Sequence, residues 1–382
     1  MKAAVLREQG VIAFTEVPEP SPVGDRSVLL RIGAVGVCGS DVLRYGRGKA
    51  YRYPLVLGHE FSGIVEEAPD GGRFSPGDRV AVFPLLADPD DPFTRIGELA
   101  LGRGYDYYGS RRDGAMSERL HVPEANLIPV PPDMPLVHAA MVEPAAVALH
   151  AVLKCDVPAS GTALVIGAGP IGALAAQWLR LLGWTRVLVA EVDPRKREVM
   201  AALGFEVVDA SGDTVAAVRD LTGGHGVDCA VEASGLPLTL VQALEAVAPL
   251  GTVIMLGDLS GDVTLPQPLV SSLLRREVRI LGTWNSKITP AGRSEWEMVV
   301  TCLGRGLEVA PLISHTPSLA DADAVFDDLV NRRVWYNKVV FAVADEARAE
   351  LDLPGVAPAA DRAATWPGNG ARRSGEPLGA RP

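Results

Sequence analysis

Cys38, in Gly36-Val37-Cys38-Gly39-Ser40-Asp41, and His59-Glu60, after Gly58, place a thiol, an imidazole and carboxylates early in the chain. These are the side chains that zinc selects. Three protein ligands with one open position make a catalytic site. A third ligand is expected near the junction of two structural units. Glu143, in Val142-Glu143-Pro144-Ala145-Ala146, is the candidate. The alternative is a first-turn carboxylate that favours a helix dipole.

A second chemistry lies in Leu164-Val165-Ile166-Gly167-Ala168-Gly169-Pro170-Ile171-Gly172. The apolar run from Ala163 to Ile166 reads as a buried parallel strand, and Ala173 to Leu182 reads as a helix. Gly167 allows a tight turn, Gly169 lets backbone amides approach a pyrophosphate, and Gly172 lets helix and strand pack closely. The helix N-terminus, following Pro170-Ile171, then turns its positive end toward the phosphates. A following strand, Arg186 to Ala190, ends at Glu191, whose carboxylate suits the ribose hydroxyls of NAD and repels a 2′-phosphate. Arg195, Lys196 and Arg197 are near enough to attract that phosphate, so NAD is preferred with NADP as the competitor.

The elements that position these groups change character along the chain. Val28–Ile32, Gly63–Glu66 and Arg79–Val82 read as strands, the last after a Pro76-Gly77-Asp78 turn, in a β-rich first part with the texture of an irregular barrel. Beyond about Ala145, strands at Arg186–Ala190, Phe205–Val208, Asp228–Glu232, Thr252–Leu256 and Val278–Leu281 alternate with helices such as Leu238–Val247. That alternation implies an α/β doubly wound parallel sheet, residues 145–281, inserted into the first unit, residues 1–144 and 282–344. Residues 345–382 have no apolar period and read as a disordered tail.

Composition narrows the function. The 382 residues are 48% apolar and carry a net charge of −11, which argues against nucleic acid as a partner. No run is long and apolar enough to span a membrane, and the residues after Met1 lack a signal-peptide core. Cys38, Cys155, Cys229 and Cys302 show no pair spacing, which points to a reducing cytoplasm rather than a disulfide framework.

At these residues the chain resembles the zinc-dependent medium-chain dehydrogenases over residues 1–343. Within them it most resembles the polyol and sugar dehydrogenases, because Glu143 stands where alcohol dehydrogenases carry cysteine. Tyr105-Asp106-Tyr107-Tyr108-Gly109-Ser110-Arg111-Arg112-Asp113-Gly114, Leu274-Arg275-Arg276-Glu277, Gly282-Thr283-Trp284-Asn285 and Glu295-Trp296-Glu297 are similar to the galactitol-1-phosphate 5-dehydrogenase pattern. The resemblance implies a GroES-like catalytic unit around an inserted Rossmann unit, and a homodimer or homotetramer. It makes Cys38, His59 and Glu143 zinc ligands, with Glu60 able to ligate or exchange with water. It makes Ser40 the hydroxyl that hands on the substrate proton, and Asp41 a carboxylate that orients a ligand. Ala233, Ser234, Leu256, Gly257, Leu281 and Gly282 match the loops flanking a nicotinamide. Lys338 matches a basic residue near the pyrophosphate, although Asn337 replaces the usual glycine before it.

Two departures matter. The family usually holds a structural zinc on four close cysteines, but residues 84–105 contain none, so one catalytic zinc is expected. Leu43 stands where many relatives carry a proton-relaying histidine, so the proton must leave elsewhere, through water near Ser40 and Glu60. The implied reaction oxidises a secondary alcohol of a polyol, sugar or sugar phosphate to a ketone, with hydride passing to NAD. Arg111 and Arg112 suit a substrate phosphate, or else are a solvated pair or a partner of Asp113. Trp284, Trp296 and Glu297 are candidates for a sugar pocket, the tryptophans equally for core or subunit contacts. The lost cysteine lobe and the tail keep an unphosphorylated sugar, cyclitol or aminoglycoside-like alcohol as the alternative substrate.

Overall fold

Two large sheets frame the metal-ligand and cofactor candidates. The computed structural model describes residues 1–155, 161–289, 294–356 and 366. One sheet has seven strands, with Ser27–Gly36 at its centre between Glu60–Glu67 and Lys338–Ala342. Arg79–Val82 and Leu127–Pro129 extend it on one side and Ile313–His315 on the other, while Arg119–Pro123 also pairs with the central strand. The central register sets Gly36 opposite Glu60 on one side and Val340 on the other. The end of one strand and the start of another thus bring the Cys38 turn beside His59-Glu60.

The second sheet has six parallel strands in the order Glu206–Asp209, Arg186–Glu191, Thr162–Ile166, Val227–Glu232, Val247–Met255, Arg279–Gly282. Its inner strands are buried on both faces, as their unbroken apolar runs require. Ala163 and Val165 pack into one core with Leu174 and Trp178. Leu164 and Ile166 pack into the other with Leu188 and Leu244. The strand order reverses between Thr162–Ile166 and Val227–Glu232, the crevice where such sheets bind ligands. The first helix begins at Pro170 rather than Ala173, since proline needs no amide partner in a first turn. The helix expected at Leu238–Val247 is Pro237–Ala246, and Val247 opens the next strand.

Two expectations are corrected. Cys155 and Cys229 form a disulfide across 74 residues. Sequence spacing is silent here because the contact is tertiary: Cys229 lies in a central strand, and Cys155 follows the Val142–Val152 helix that packs near it. Residues 345–356 are also ordered, contrary to the reading of a tail. Asp345–Glu350 is a helix with Ala347 buried, and Val356 is buried beyond it. Charged side chains anchor that helix, and an apolar-period reading overlooks them. Glu350 accepts from Arg79 and from the Leu136 amide, Glu346 pairs with Arg31, and the Val356 carbonyl meets His138 Nε2 at 2.9 Å. Trp366 is buried, its indole N–H donating to Asp328 at 2.6 Å. The rest of 357–382 lies outside the described residues. Among the described residues, no helix is long and apolar enough to cross a membrane.

Candidate active site

Cys38 caps the Gly39–Arg47 helix, directly after the central strand. His59 and Glu60 enter from the neighbouring strand. One ligand atom each from Cys38, His59 and Glu60 lies within 4.8 Å of the others. His59 and Glu60 are buried and Cys38 is half-buried. A thiolate, an imidazole and a carboxylate gathered in this way are a donor set that fits zinc.

The surroundings of these groups fix them in place. Asp41 is fully buried, takes the Cys38 amide at 3.2 Å and sets Oδ1 3.5 Å from His59 Nδ1. Burial opposes charge on His59, but the Asp41 carboxylate and the Cys38 sulfur outweigh it and raise its pKa well above the ordinary range. Burial likewise works against the Asp41 carboxylate, and His59, Arg44 and the Cys38 amide more than offset it, so its pKa falls. Arg44 Nη1 donates to Ser40 Oγ at 2.7 Å and to Asp41 at 3.1 Å. Arg44 had no role in the sequence reading, although its i,i+4 spacing from Ser40 places both on one helix face.

Lys338 sits beside the metal-ligand cluster. It is buried, and its ammonium donates to Glu60 and, at 2.9 Å, to the Val37 carbonyl. Its ion pair with Glu60 lies inside the metal-ligand cluster. Gly36 makes room for that pair, since a Cβ there would lie 2.2 Å from Glu60 Oε2.

Glu143, in the first turn of the Val142–Val152 helix, is buried but is not one of the three clustered ligands. Burial pushes its carboxyl up to about 7. Its Oε1 accepts from the Tyr107 hydroxyl at 3.2 Å. The Tyr107 ring stands edge-on to His59 at 5.7 Å, and the Asn285 side chain neighbours the same hydroxyl. Tyr107 and Asn285 stood inside quoted segments but carried no assigned role. The Tyr105-Asp106-Tyr107 alternation was the available signal, since it puts both rings on one face.

The cofactor candidates meet at the carboxyl ends of the parallel strands. Gly169 caps the Pro170–Leu181 helix, with Pro170 and Ile171 in its first turn. Gly172 is required by space, because a Cβ would sit 1.9 Å from the Gly167 carbonyl. A Cβ on Gly167 would meet Ser234 at 3.0 Å. Ala233 donates its amide to Ile166, and Leu256 and Gly257 donate theirs to Glu232. Leu281 and Gly282 lie beside Ile254 and Met255 on the next strand. Glu191 accepts three backbone bonds, from Ala168 at 2.6 Å, Val192 at 2.8 Å and Asp193 at 2.9 Å. Arg197 is held by the Glu191 and Val192 carbonyls and by Asp209, and Arg195 lies over the Trp335 ring. Lys196 is half-buried in the first turn of Pro194–Ala202.

The substrate candidates separate. Trp296 is fully buried against Phe83 and donates to Ser286, so it is core. Glu297 completes a capping box with Ser294. Trp284 is 56% exposed. Arg111 donates to the Tyr105 carbonyl and stacks on the Tyr105 and Tyr51 rings at 4.1 and 5.6 Å. Arg112 pairs with Asp106 at 3.5 Å, while Asp113 pairs with Arg52 instead.

Two family models match the chain: an alcohol dehydrogenase GroES-like domain at residues 24–132 and a zinc-binding dehydrogenase at residues 170–304. Galactitol 1-phosphate 5-dehydrogenase of Escherichia coli K12 is 32% identical over 335 residues, which are 86% of this chain and 96% of that protein. The chain belongs to the zinc-dependent medium-chain dehydrogenase/reductase family. D-xylulose reductase of Morganella morganii is another member, 31% identical over 86% of this chain and 97% of its own. The crystal structure of the Escherichia coli galactitol-1-phosphate dehydrogenase superposes with a TM-score of 0.83 at 30% identity, covering 90% of this chain and all of that one. A zinc-binding dehydrogenase from Sinorhizobium meliloti, bound to NADP, gives 0.81 at 31% identity over 89% of this chain and 98% of that one. Family membership implies zinc and a nicotinamide cofactor.

Proposed function

We propose that this dehydrogenase moves hydride between a secondary alcohol of a polyol, sugar or sugar phosphate and NAD. The observation that carries the reading is the cluster of half-buried Cys38 with buried His59 and Glu60, and Glu143 held by Tyr107. In this reading residues 1–144 and 282–344 form the catalytic unit and residues 145–281 the cofactor unit. A zinc ion held by Cys38 and His59 with Glu143 or Glu60 supplies Lewis acidity, and the nicotinamide supplies the hydride acceptor. Asp41 orients His59. Ser40 accepts a bond from Arg44, which leaves its second lone pair for the substrate hydroxyl and its own hydrogen to pass on. A guanidinium takes no proton, so the relay does not run through Arg44. Leu43 is 47% exposed and offers no relay either, so the proton leaves by water. The test is alcohol-dependent NADH formation by zinc-loaded protein across sugar phosphates, free polyols and cyclitols. No turnover of any of them overturns the reading.

NAD is the proposed cofactor because Glu191 presents a buried carboxylate at the ribose end while Arg197 is already held by neighbours. kcat/KM is expected to favour NAD over NADP at least about tenfold, ~1.4 kcal/mol. Steady-state kinetics with both cofactors check this, and a preference for NADP overturns it.

A phosphorylated substrate is supported by Arg111, which keeps guanidinium donors open beyond the Tyr105 carbonyl. Arg111→Ala is expected to raise KM for a phosphorylated polyol by about 10- to 150-fold, ~1.5–3 kcal/mol, and to spare an unphosphorylated one. Equal losses on both would make Arg111 structural. Its stacking and the pairing of Arg112 with Asp106 favour the second reading, an unphosphorylated sugar, cyclitol or aminoglycoside-like alcohol.

A further inference from the structure

Three distant segments meet at one hydroxyl. Tyr107 belongs to the short Asp106–Tyr107 strand, Glu143 to the Val142–Val152 helix, and Asn285 to the turn just beyond the Arg279–Gly282 strand. A tyrosine hydroxyl has one hydrogen to donate and lone pairs to accept with. The Glu143 carboxylate takes the hydrogen at 3.2 Å, which leaves the oxygen's lone pairs for the neighbouring Asn285 amide. Asn285 is held for this contact. Its backbone is left-handed, φ 58°, and its own Oδ1 accepts from the Ser286 amide at 2.8 Å, which leaves its amide nitrogen as the donor. The Tyr107 ring is fixed from the other side by its edge-on contact with His59.

We propose that Tyr107 is a positioning residue. Its hydroxyl fixes Glu143 by one carboxylate oxygen and leaves the other for the metal, and Asn285 holds the hydroxyl in turn. This rests on the metal reading given above. Glu143 stands outside the tight Cys38, His59 and Glu60 group, so its orientation is not set by those three side chains. The bond from Tyr107 sets it. A partner that orients a ligand in this way typically changes metal affinity 10- to 100-fold when removed.

The experiment follows zinc loss to a chelator from the full-length protein, read by a chromogenic zinc indicator, in wild type, Tyr107→Phe, Asn285→Gly and the double variant. Tyr107→Phe keeps the ring, and Asn285→Gly keeps the left-handed backbone without strain. Zinc affinity is expected to fall about 10- to 100-fold in Tyr107→Phe, with NADH binding unchanged. The fall in Asn285→Gly should be smaller, and the double variant should lose no more than Tyr107→Phe alone, because one chain of contacts is broken only once. A wild type that retains zinc, with Tyr107→Phe retaining it equally, overturns the proposal alone. Additive losses in the double variant overturn the link to Asn285. A wild type that holds no zinc overturns the metal reading and the proposal together.

Discussion

Combining Cys38→Ala with His59→Ala should yield a folded chain that holds no zinc and has lost at least about three orders of magnitude in kcat/KM, ~4 kcal/mol of transition-state stabilisation. The two side chains supply the thiolate and imidazole of the cluster, and what remains is carboxylates alone. Carboxylates suit harder ions than zinc, so the metal is not expected to stay. Elemental analysis of the wild type should give one zinc per chain, because residues 84–105 offer no cysteine for a second. Two tightly held zinc ions in the wild type, or one retained in the double variant, would count against this assignment. The variant should fold, because the neighbouring strands bury their apolar faces independently of these two residues.

Cutting the chain after Ala344 should lower its stability sharply. The cut removes Glu350, which is half of a largely buried pair with Arg79 and also caps the Leu136 amide. A charge-assisted bond of this kind contributes ~1.5–3 kcal/mol, and removing it leaves Arg79 short of a partner. The Arg31–Glu346 pair is more exposed and adds little. The cut also removes Trp366, buried at 3% exposure over His315 and bonded to Asp328. Trp366→Ala alone should cost about 3–5 kcal/mol, the usual range for a buried aromatic. Thermal melts of wild type, Trp366→Ala and the truncated chain test both points. An unchanged melting temperature in the truncated chain would show that the segment is not part of the fold.

The parallel sheet was legible because its strands are apolar on both faces and its glycine loop has a fixed grammar. Gly172 could be read from spacing alone, since only a residue without Cβ fits against the Gly167 carbonyl. Cys38, His59 and Glu143 were legible as donor types in a meaningful order. Their grouping was not, because which carboxylate joins the thiol and imidazole depends on strand register and on the bond from Tyr107. The pairing of Lys338 with Glu60 was hidden for a related reason. A buried cation is located by its counter-charge, and Glu60 is 278 residues away in sequence. The 345–356 segment was missed because charged side chains hold it, and Cys155–Cys229 because the pairing exists only after the helix has docked on the sheet.

The carboxylate of Glu191 has a second life that constrains how this enzyme can change. It ties the glycine loop, through Ala168, to the turn at Val192 and Asp193. A replacement chosen to welcome a 2′-phosphate leaves three backbone amides without that acceptor, at ~1–3 kcal/mol for each one that water does not reach. With the proposed role of Glu191, cofactor preference and loop architecture are inherited together. A lineage moving from one nicotinamide to the other must first find a new clasp for its glycine loop, so single-step swaps at this position meet a stability barrier before they meet a catalytic one.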